Sequence, residues 1–332
     1  MISVAINGFG RIGRRVFRLL MDHPTAQVVA INDLADAKTL SHLLKYDSIH
    51  GVLQDEISYK SNKIIVNGKE IPLLNKQHPK DILWEPYDVD VVVESSGKFK
   101  VKNTLDFHVE NGAKRVILCV PPITDDIKTV VYGVNDQILG GHEQIISCAS
   151  CTTNNAAPMI SVINDLCGIE QAYITTVHSY TTDQSLHDQP HRDLRRARAA
   201  GQSIVPTTTG AAKALTKVFP ELSNVIGGCG IRVPVANGSL TDITFNVKDN
   251  VSIHQINSAF KAASKGKFKG IIQYTEDPIV SIDIVGNTHS CIFDAQMTST
   301  IGNMVKIIGW YDNETGYSSR VLDLICNLSV KN

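Results

Sequence analysis

The segment that most constrains this chain is Asn7-Gly8-Phe9-Gly10-Arg11-Ile12-Gly13. It follows an apolar, β-rich run, Ser3 to Ile6. It opens a helical stripe over Arg11 to His23, with Ile12, Val16, Leu19 and Leu20 on one face and Arg14, Arg15 and Arg18 between them. A second apolar run, Val28 to Ile31, ends in Asn32-Asp33, which sets an acid about 20 positions beyond Gly13. A G-x-G-x-x-G by itself is only a tight turn. Between a strand and a helix, with the acid in place, it reads as a dinucleotide-binding fingerprint. Gly8, Gly10 and Gly13 would let backbone approach a pyrophosphate. The helix start around Ile12 would offer free amide donors and partial positive charge. Asp33 would accept from both ribose hydroxyls and repel a 2′-phosphate, which favours NAD over NADP. Arg11 has two readings, a pyrophosphate contact or a solvated helix residue. Ser95-Ser96-Gly97 ends the strand that starts at Val91, and strand C-termini line the ligand crevice of an open α/β sheet. Ser95 and Gly97 therefore join the cofactor-binding candidates.

The same alternation continues through Val91 to Val93, Val116 to Leu118 and Ile145-Ile146. Continuous Val/Ile runs bounded by polar or glycine residues fit strands buried on both faces. Strand–helix–strand order predicts parallel pairing with right-handed crossovers. The fold class expected is α/β, a Rossmann-type parallel-sheet domain. After residue 150 the pattern changes. Tyr173 to Val177, Thr241 to Val247, Ile279 to Val285, Cys291 to Met297 and Met304 to Tyr311 are longer runs with partial alternation. They predict an α+β catalytic domain with a mostly antiparallel sheet. Ser252 and Gln255 form a capping box for a helix over Ile253 to Ala263, which Gly266 can end. A chain of 332 residues suits two domains. The division expected is 1–150 for NAD binding and 151–315 for catalysis, with a last helix, 316–332, packing back on the first domain.

Composition narrows the partners. The net charge is -1, so no chain-wide basic field exists for nucleic acid or an anionic membrane, and no apolar run reaches membrane-spanning length. The cysteines number 7, an odd count, and no secretory leader is evident, so free thiols and a cytoplasmic location are expected. Cys148 and Cys151 form a C-x-x-C without the second pair a structural zinc site needs, and no metal is expected.

Ser150-Cys151-Thr152-Thr153-Asn154 follows the Ile145-Ile146 strand and precedes an apolar helical stripe, Ala157, Ile160, Val162, Ile163 and Leu166. Helix N-terminal amides stabilise a thiolate, which singles out Cys151 as nucleophile; the other six cysteines read as inert. A base is needed, and His178 ends the Tyr173 to Val177 strand in a polar stretch. Arg192, Arg195, Arg196, Arg198 and Arg232, with Thr207-Thr208-Thr209-Gly210, offer forked donors and hydroxyls for anions.

Five segments together carry a resemblance. They are Gly8 to Arg14, Ala149 to Asn154, Thr207 to Ala214, Arg232-Val233-Pro234 and Trp310-Tyr311-Asp312-Asn313-Glu314-Thr315-Gly316-Tyr317-Ser318. In content and order the chain resembles the NAD-dependent phosphorylating glyceraldehyde-3-phosphate dehydrogenases. The resemblance implies that Cys151 attacks an aldehyde, His178 takes the proton, and a thioester is cleaved by inorganic phosphate. It assigns Thr181, Asp183 and Arg232 to the substrate phosphate. It assigns Ser150, Thr152, Thr209 and Gly210 to the attacking phosphate, with Arg195 bridging. Asn313 would bond the nicotinamide carboxamide, and Tyr317 would pack near it. A homotetramer is implied by resemblance alone. Asn155 stands where the family commonly shows a second cysteine, and Gln189 precedes Pro190 where an apolar residue is common. The alternative within the fold is erythrose-4-phosphate dehydrogenase, which favours hydrolysis of the thioester; the threonine-glycine cage argues for phosphorolysis.

Overall fold

The computed structural model describes residues 1–330, so the last two residues of the expected final helix, Lys331 and Asn332, lie outside the described residues. The chain divides into two compact units. The first holds Met1–Tyr132, Asp136–Ala149 and the chain from Ser318; the second holds Gly133–Asn135 and Ser150–Tyr317.

In the first unit the elements are β1 (Ile2–Asn7), α1 (Arg11–Leu20), β2 (Ala26–Asn32), α2 (Ala37–Lys45), β3 (Tyr46–Asp47), β4 (Gly51–Val52), β5 (Ile57–Tyr59), β6 (Lys63–Val66), β7 (Lys69–Leu74), β8 (Val91–Glu94), α3 (Lys102–Glu110), β9 (Arg115–Leu118), β10 (Lys128–Thr129) and β11 (Ile145–Ser147). One sheet runs in the order β10-β11-β9-β8-β1-β2-β7-β6-β5. It is parallel from β10 to β7, and β5, β6 and β7 are antiparallel. The antiparallel edge was not anticipated: Asn67-Gly68, both at positive φ, turn β6 into β7. The central strands are apolar on both faces because helices cover both, and Val4, Ile6, Val92, Val116 and Ile117 are fully buried. The strand order reverses between β1 and β8, which makes their C-terminal ends the ligand crevice of such a sheet.

The second unit contains α4 (Cys151–Cys167), β12 (Ile169–Ser179), β13 (Val205–Thr207), α5 (Ala211–Val218), β14 (Ile226–Val233), β15 (Ser239–Val247), α6 (Ile253–Lys265), β16 (Ile272–Thr275), β17 (Cys291–Asp294), β18 (Ser299–Ile301), β19 (Met304–Tyr311) and the start of α7 (Thr315–Val330). Its sheet runs β13-β14-β12-β15-β19-β17-β16, with β18 on β19. It is mostly antiparallel, as expected, but β12 pairs with β14, and β16 with β17, in parallel. α4 is buried without a break from Thr152 to Ile163 and packs against the sheet. The capping box at Ser252 and Gln255 is formed. The run Ile279 to Val285 is not a strand. Asp283 accepts from the Val280 amide at 2.7 Å, and a short 3-10 turn, Ser281–Ile284, replaces the expected extended segment. The strand expected over Cys291 to Met297 stops at Asp294 and turns into a 3-10 segment, because Asp294 caps the Gln296 amide.

Candidate active site

In the first unit the glycine loop is held by backbone geometry. Gly8 has φ +90 and closes on the β8 turn so tightly that a Cβ there would meet Ser96 Cα at 2.5 Å. A Cβ at Gly13 would meet the Gly8 carbonyl at 2.2 Å, so α1 can sit on β1 only with glycine at this position. Gly10, the N-cap of α1, and Gly97 have open space where a Cβ would stand. That opening, beside the first amides of a helix, which have no acceptor within the helix itself, fits a pyrophosphate. Asp33 follows β2; its carboxylate accepts from the Phe9 amide at 2.7 Å and the Ala35 amide at 3.0 Å, which aims it at the loop. Ser95 Oγ donates to the Gly8 carbonyl at 2.7 Å. The residues present therefore fit a dinucleotide.

Arg11 is anchored within the first unit. Its guanidinium grips Asp47 at 2.6 and 3.1 Å. Burial opposes ionisation of Asp47, but the Arg11 bonds and the His50 and Ile49 amides outweigh it and hold that carboxyl well below its usual range.

Beneath the loop lies a network that pattern reading missed. Glu94 and His108 are both 0% exposed. Trp84 Nε1 donates to His108 Nδ1 at 2.9 Å, so Nε2 carries the proton and donates to Glu94 at 3.1 Å. Glu94 also accepts from Asn7 Nδ2 at 2.5 Å, from the Ser96 amide at 3.0 Å, and from the Ser96 hydroxyl.

In the second unit Ser150 caps α4, accepting from the Thr153 amide at 3.1 Å, and Cys151 is the first helical residue. Ala149, just before the cap, has φ +56, a left-handed conformation that favours glycine. Cys151 Sγ lies 3.4 Å from His178 Nε2. His178 is the penultimate residue of β12, on the face that carries Thr176, and its partner across the parallel pair is Arg232 of β14. The Ser179 carbonyl is 2.7 Å from His178 Nδ1 and 2.9 Å from Arg232 Nη1. Arg232 Nη1 also lies 2.7 Å from Nδ1, but a guanidinium can only donate. The Ser179 carbonyl accepts from Arg232 in either tautomer of the ring; the tautomer with its proton on Nδ1 is the one that leaves the Nε2 lone pair facing the sulfur.

Burial and then the Arg232 charge push His178 down to about 3, against the Ser179 bond that favours the charged ring. Burial also raises the Cys151 thiol, opposed by Arg232 and by the amide and hydroxyl of Thr152. The resting pair is therefore a neutral thiol beside a neutral imidazole. Arg232 favours thiolate and disfavours imidazolium, so across the pair its effects largely offset.

The anion-binding candidates separate. Thr181 donates to Asp183, and Asp183 pairs with Arg196, whose Nε reaches Thr207 Oγ1 at 3.0 Å. Arg195 is exposed, with its backbone amide on Asp193 at 2.9 Å. The irregular segment turns the second of the two adjacent arginines inward, and Arg196 is the one that meets Asp183 and Thr207. Thr209 Oγ1 accepts from the Ala211 amide at 3.2 Å, and Gly210 caps α5 with open space on its Cβ side. Asn313 Oδ1 accepts from Ser179 Oγ at 2.8 Å, Ser239 Oγ at 3.1 Å and the Gly238 amide at 3.2 Å, which leaves its NH2 group to donate elsewhere. Tyr317 is buried in the first turn of α7. Asn155, in place of a second cysteine, donates to the Ser290 carbonyl at 3.1 Å and ties α4 to the chain beyond α6.

A thiol paired with an unprotonated imidazole, in a chain that also carries a dinucleotide loop, is the equipment of a nicotinamide-dependent dehydrogenase. Comparison with known proteins narrows the class. Residues 2–102 match the glyceraldehyde 3-phosphate dehydrogenase NAD binding domain, and residues 150–313 match the C-terminal domain of the same family. The chain is 50% identical over 333 residues to glyceraldehyde-3-phosphate dehydrogenase 1 of Bacillus cereus, covering 100% of this chain and 99% of the relative. It is 50% identical over 332 residues to the Geobacillus stearothermophilus enzyme of that name, covering 99% of each. To that of Thermotoga maritima it is 50% identical over 328 residues, covering 98% of each. The chain belongs to the glyceraldehyde-3-phosphate dehydrogenase family. It is an NAD-dependent oxidoreductase.

Proposed function

We propose that the chain oxidises D-glyceraldehyde 3-phosphate, with inorganic phosphate, to 1,3-bisphosphoglycerate. The observation that carries this reading is the 3.4 Å approach of Cys151 Sγ to Nε2 of His178, a ring that burial keeps neutral. As the S–C bond to the aldehyde forms, Nε2 takes the thiol proton and passes it to the new oxyanion. Nε2 takes that O–H proton again as the aldehydic C–H bond breaks, leaving a thioester on Cys151. Bound NAD supplies the hydride acceptor. Phosphate then adds to the thioester carbonyl, the C–S bond breaks, and the imidazolium returns a proton to sulfur.

Gly8, Gly10, Gly13, Asp33, Ser95 and Gly97 would hold the dinucleotide, and Asn313 would donate to the nicotinamide carboxamide. Arg232, Thr181 and Asp183 serve the substrate phosphate in this reading. Ser150, Thr152, Thr209 and Gly210 serve the attacking one, and Arg196 takes the bridging role. We also read the chain as a cytoplasmic homotetramer. The half-exposed or exposed Tyr173, Ile204 and Ile301 of the second unit, at 54%, 70% and 70%, support an interface. No disulfide joins any of the seven cysteines, which suits a reducing compartment.

The test is NADH formation from glyceraldehyde 3-phosphate, with and without phosphate, for the parent and Cys151→Ser. Phosphate-dependent NADH that falls by about 10³-fold or more in the variant is expected. Turnover that ignores phosphate and prefers erythrose 4-phosphate would replace this reading.

A further inference from the structure

The Tyr311 hydroxyl lies 2.9 Å from Thr152 Oγ1 and 2.9 Å from Thr176 Oγ1. Tyr311 ends β19 and is 1% exposed, and its ring meets the His178 ring edge-on with centroids 5.9 Å apart. Thr152 directly follows the nucleophile on α4. Thr176 stands on the same face of β12 as His178. One phenol therefore ties the segment carrying the thiol to the strand carrying the base.

The donors in this bridge can be assigned, because each hydroxyl has one proton. Thr176 Oγ1 donates to the Leu240 carbonyl at 3.3 Å, so it accepts from Tyr311. Thr152 then donates to the Tyr311 oxygen. The Thr152 hydroxyl also favours the ionised sulfur of Cys151 through a hydrogen bond. Its single proton cannot serve Tyr311 and the sulfur together. When it turns to the sulfur, the Tyr311 proton can leave Thr176 and fill the vacated acceptor on Thr152. Thr176 keeps its bond to Leu240 throughout.

We propose that Tyr311 is a positioning residue with two donor settings, its O–H aimed at Thr176 while Cys151 is a thiol and at Thr152 when Cys151 is a thiolate. No proton crosses the bridge; the thiol proton goes to His178 Nε2. Burial keeps the phenol protonated, as the role requires. The inference rests on the reading of Cys151 as nucleophile and His178 as base. Of the charged groups nearby, Arg232 from β14 acts on the sulfur and on the His178 ring, and Asp183, from the loop after β12, acts on the ring. Replacing Tyr311 by phenylalanine leaves all of them in place.

The experiment is the rate of iodoacetamide alkylation at Cys151 in the full chain, followed by peptide mass spectrometry across roughly pH 6 to 11.5. Tyr311→Phe should move the midpoint up by about one pH unit, roughly a tenfold slower reaction at a fixed pH below it. Thr176→Val removes only the resting acceptor and should leave the midpoint in place or move it down. An upward shift in Tyr311→Phe without an upward shift in Thr176→Val supports the switch. A shared upward shift would reduce Tyr311 to a rigid brace and overturn it, as would an unmoved Tyr311→Phe. If Tyr311→Phe does not fold, Thr176→Val still decides, since a brace predicts an upward shift. A parent in which Cys151 reacts no faster than the other thiols would instead remove the nucleophile reading beneath the proposal.

Discussion

The two units build their sites by different means. In the first, function follows from backbone: glycines that permit close approach, amides at a helix start, and a carboxylate aimed by the Phe9 and Ala35 amides. In the second it follows from side chains converging from separate elements, Cys151 from α4, His178 from β12, Arg232 from β14 and Tyr311 from β19. A backbone site is written in one short stretch of sequence and tolerates substitution according to space. A converging site depends on strand register and tolerates substitution according to proton and charge.

The sharpest test of that contrast is His178→Asn. Loss of the base should lower kcat by about 10²- to 10⁴-fold. The same variant should change the acid stability. His178 is held at about 3 in the folded chain against 6.5 for a free imidazole, so the unfolded chain binds the extra proton between those values. The stability tied to the neutral ring is fully present above 6.5 and is lost as pH falls toward 3. It amounts to something on the order of a few kcal/mol. Urea midpoints from neutral pH down to about pH 4 should fall less steeply for His178→Asn than for the parent. Parallel slopes would mean that the ring is not buried neutral. NAD affinity should stay within about twofold, since the substitution touches no loop backbone.

Gly8→Ala probes the other site. A Cβ would meet Ser96 backbone at 2.5 Å with φ at +90, so the loop must open. The expected loss is about 2–3 kcal/mol of stability, with a tenfold or greater weakening of NAD binding. Cys151 alkylation without NAD should be unchanged. A variant that slowed alkylation as much as it weakened NAD would erase the distinction between the two sites.

The same contrast explains what could be read in advance. The loop was legible because its glycines, helix start and acid fall at fixed spacings. The parallel sheet was legible because strands buried on both faces read as continuous apolar runs. His178 and Arg232 were each singled out as candidates, but their pairing was not legible, since only the β12–β14 register makes them neighbours. Tyr311 escaped because its hydroxyl reaches α4 and β12 from a strand distant in sequence. No periodicity says which of two adjacent arginines faces inward in an irregular segment, and the inward one is Arg196. Glu94 and His108 were invisible for a related reason: a buried acid looks like any strand-end acid until its partners are placed. Ile279 to Val285 misled by its alternation, which the Asp283 cap overrides.

Asp33→Asn is the mildest of these tests, and it asks whether the backbone site has any side-chain chemistry of its own. Each Asp33 oxygen accepts from a backbone amide, one from Phe9 and one from Ala35. An amide side chain can replace only one of those acceptors, so one backbone N–H loses its partner whichever way it turns. The change also removes the negative charge that would repel a 2′-phosphate. NAD binding should weaken by about tenfold, while NADP binding should weaken less or improve. The ratio of the two dissociation constants, measured by titration of the same preparation, separates the effects. A compressed ratio assigns Asp33 a direct role at the ribose. Equal weakening of both would make Asp33 part of the loop's backbone scaffold alone, and the first unit would then select its cofactor by shape without charge.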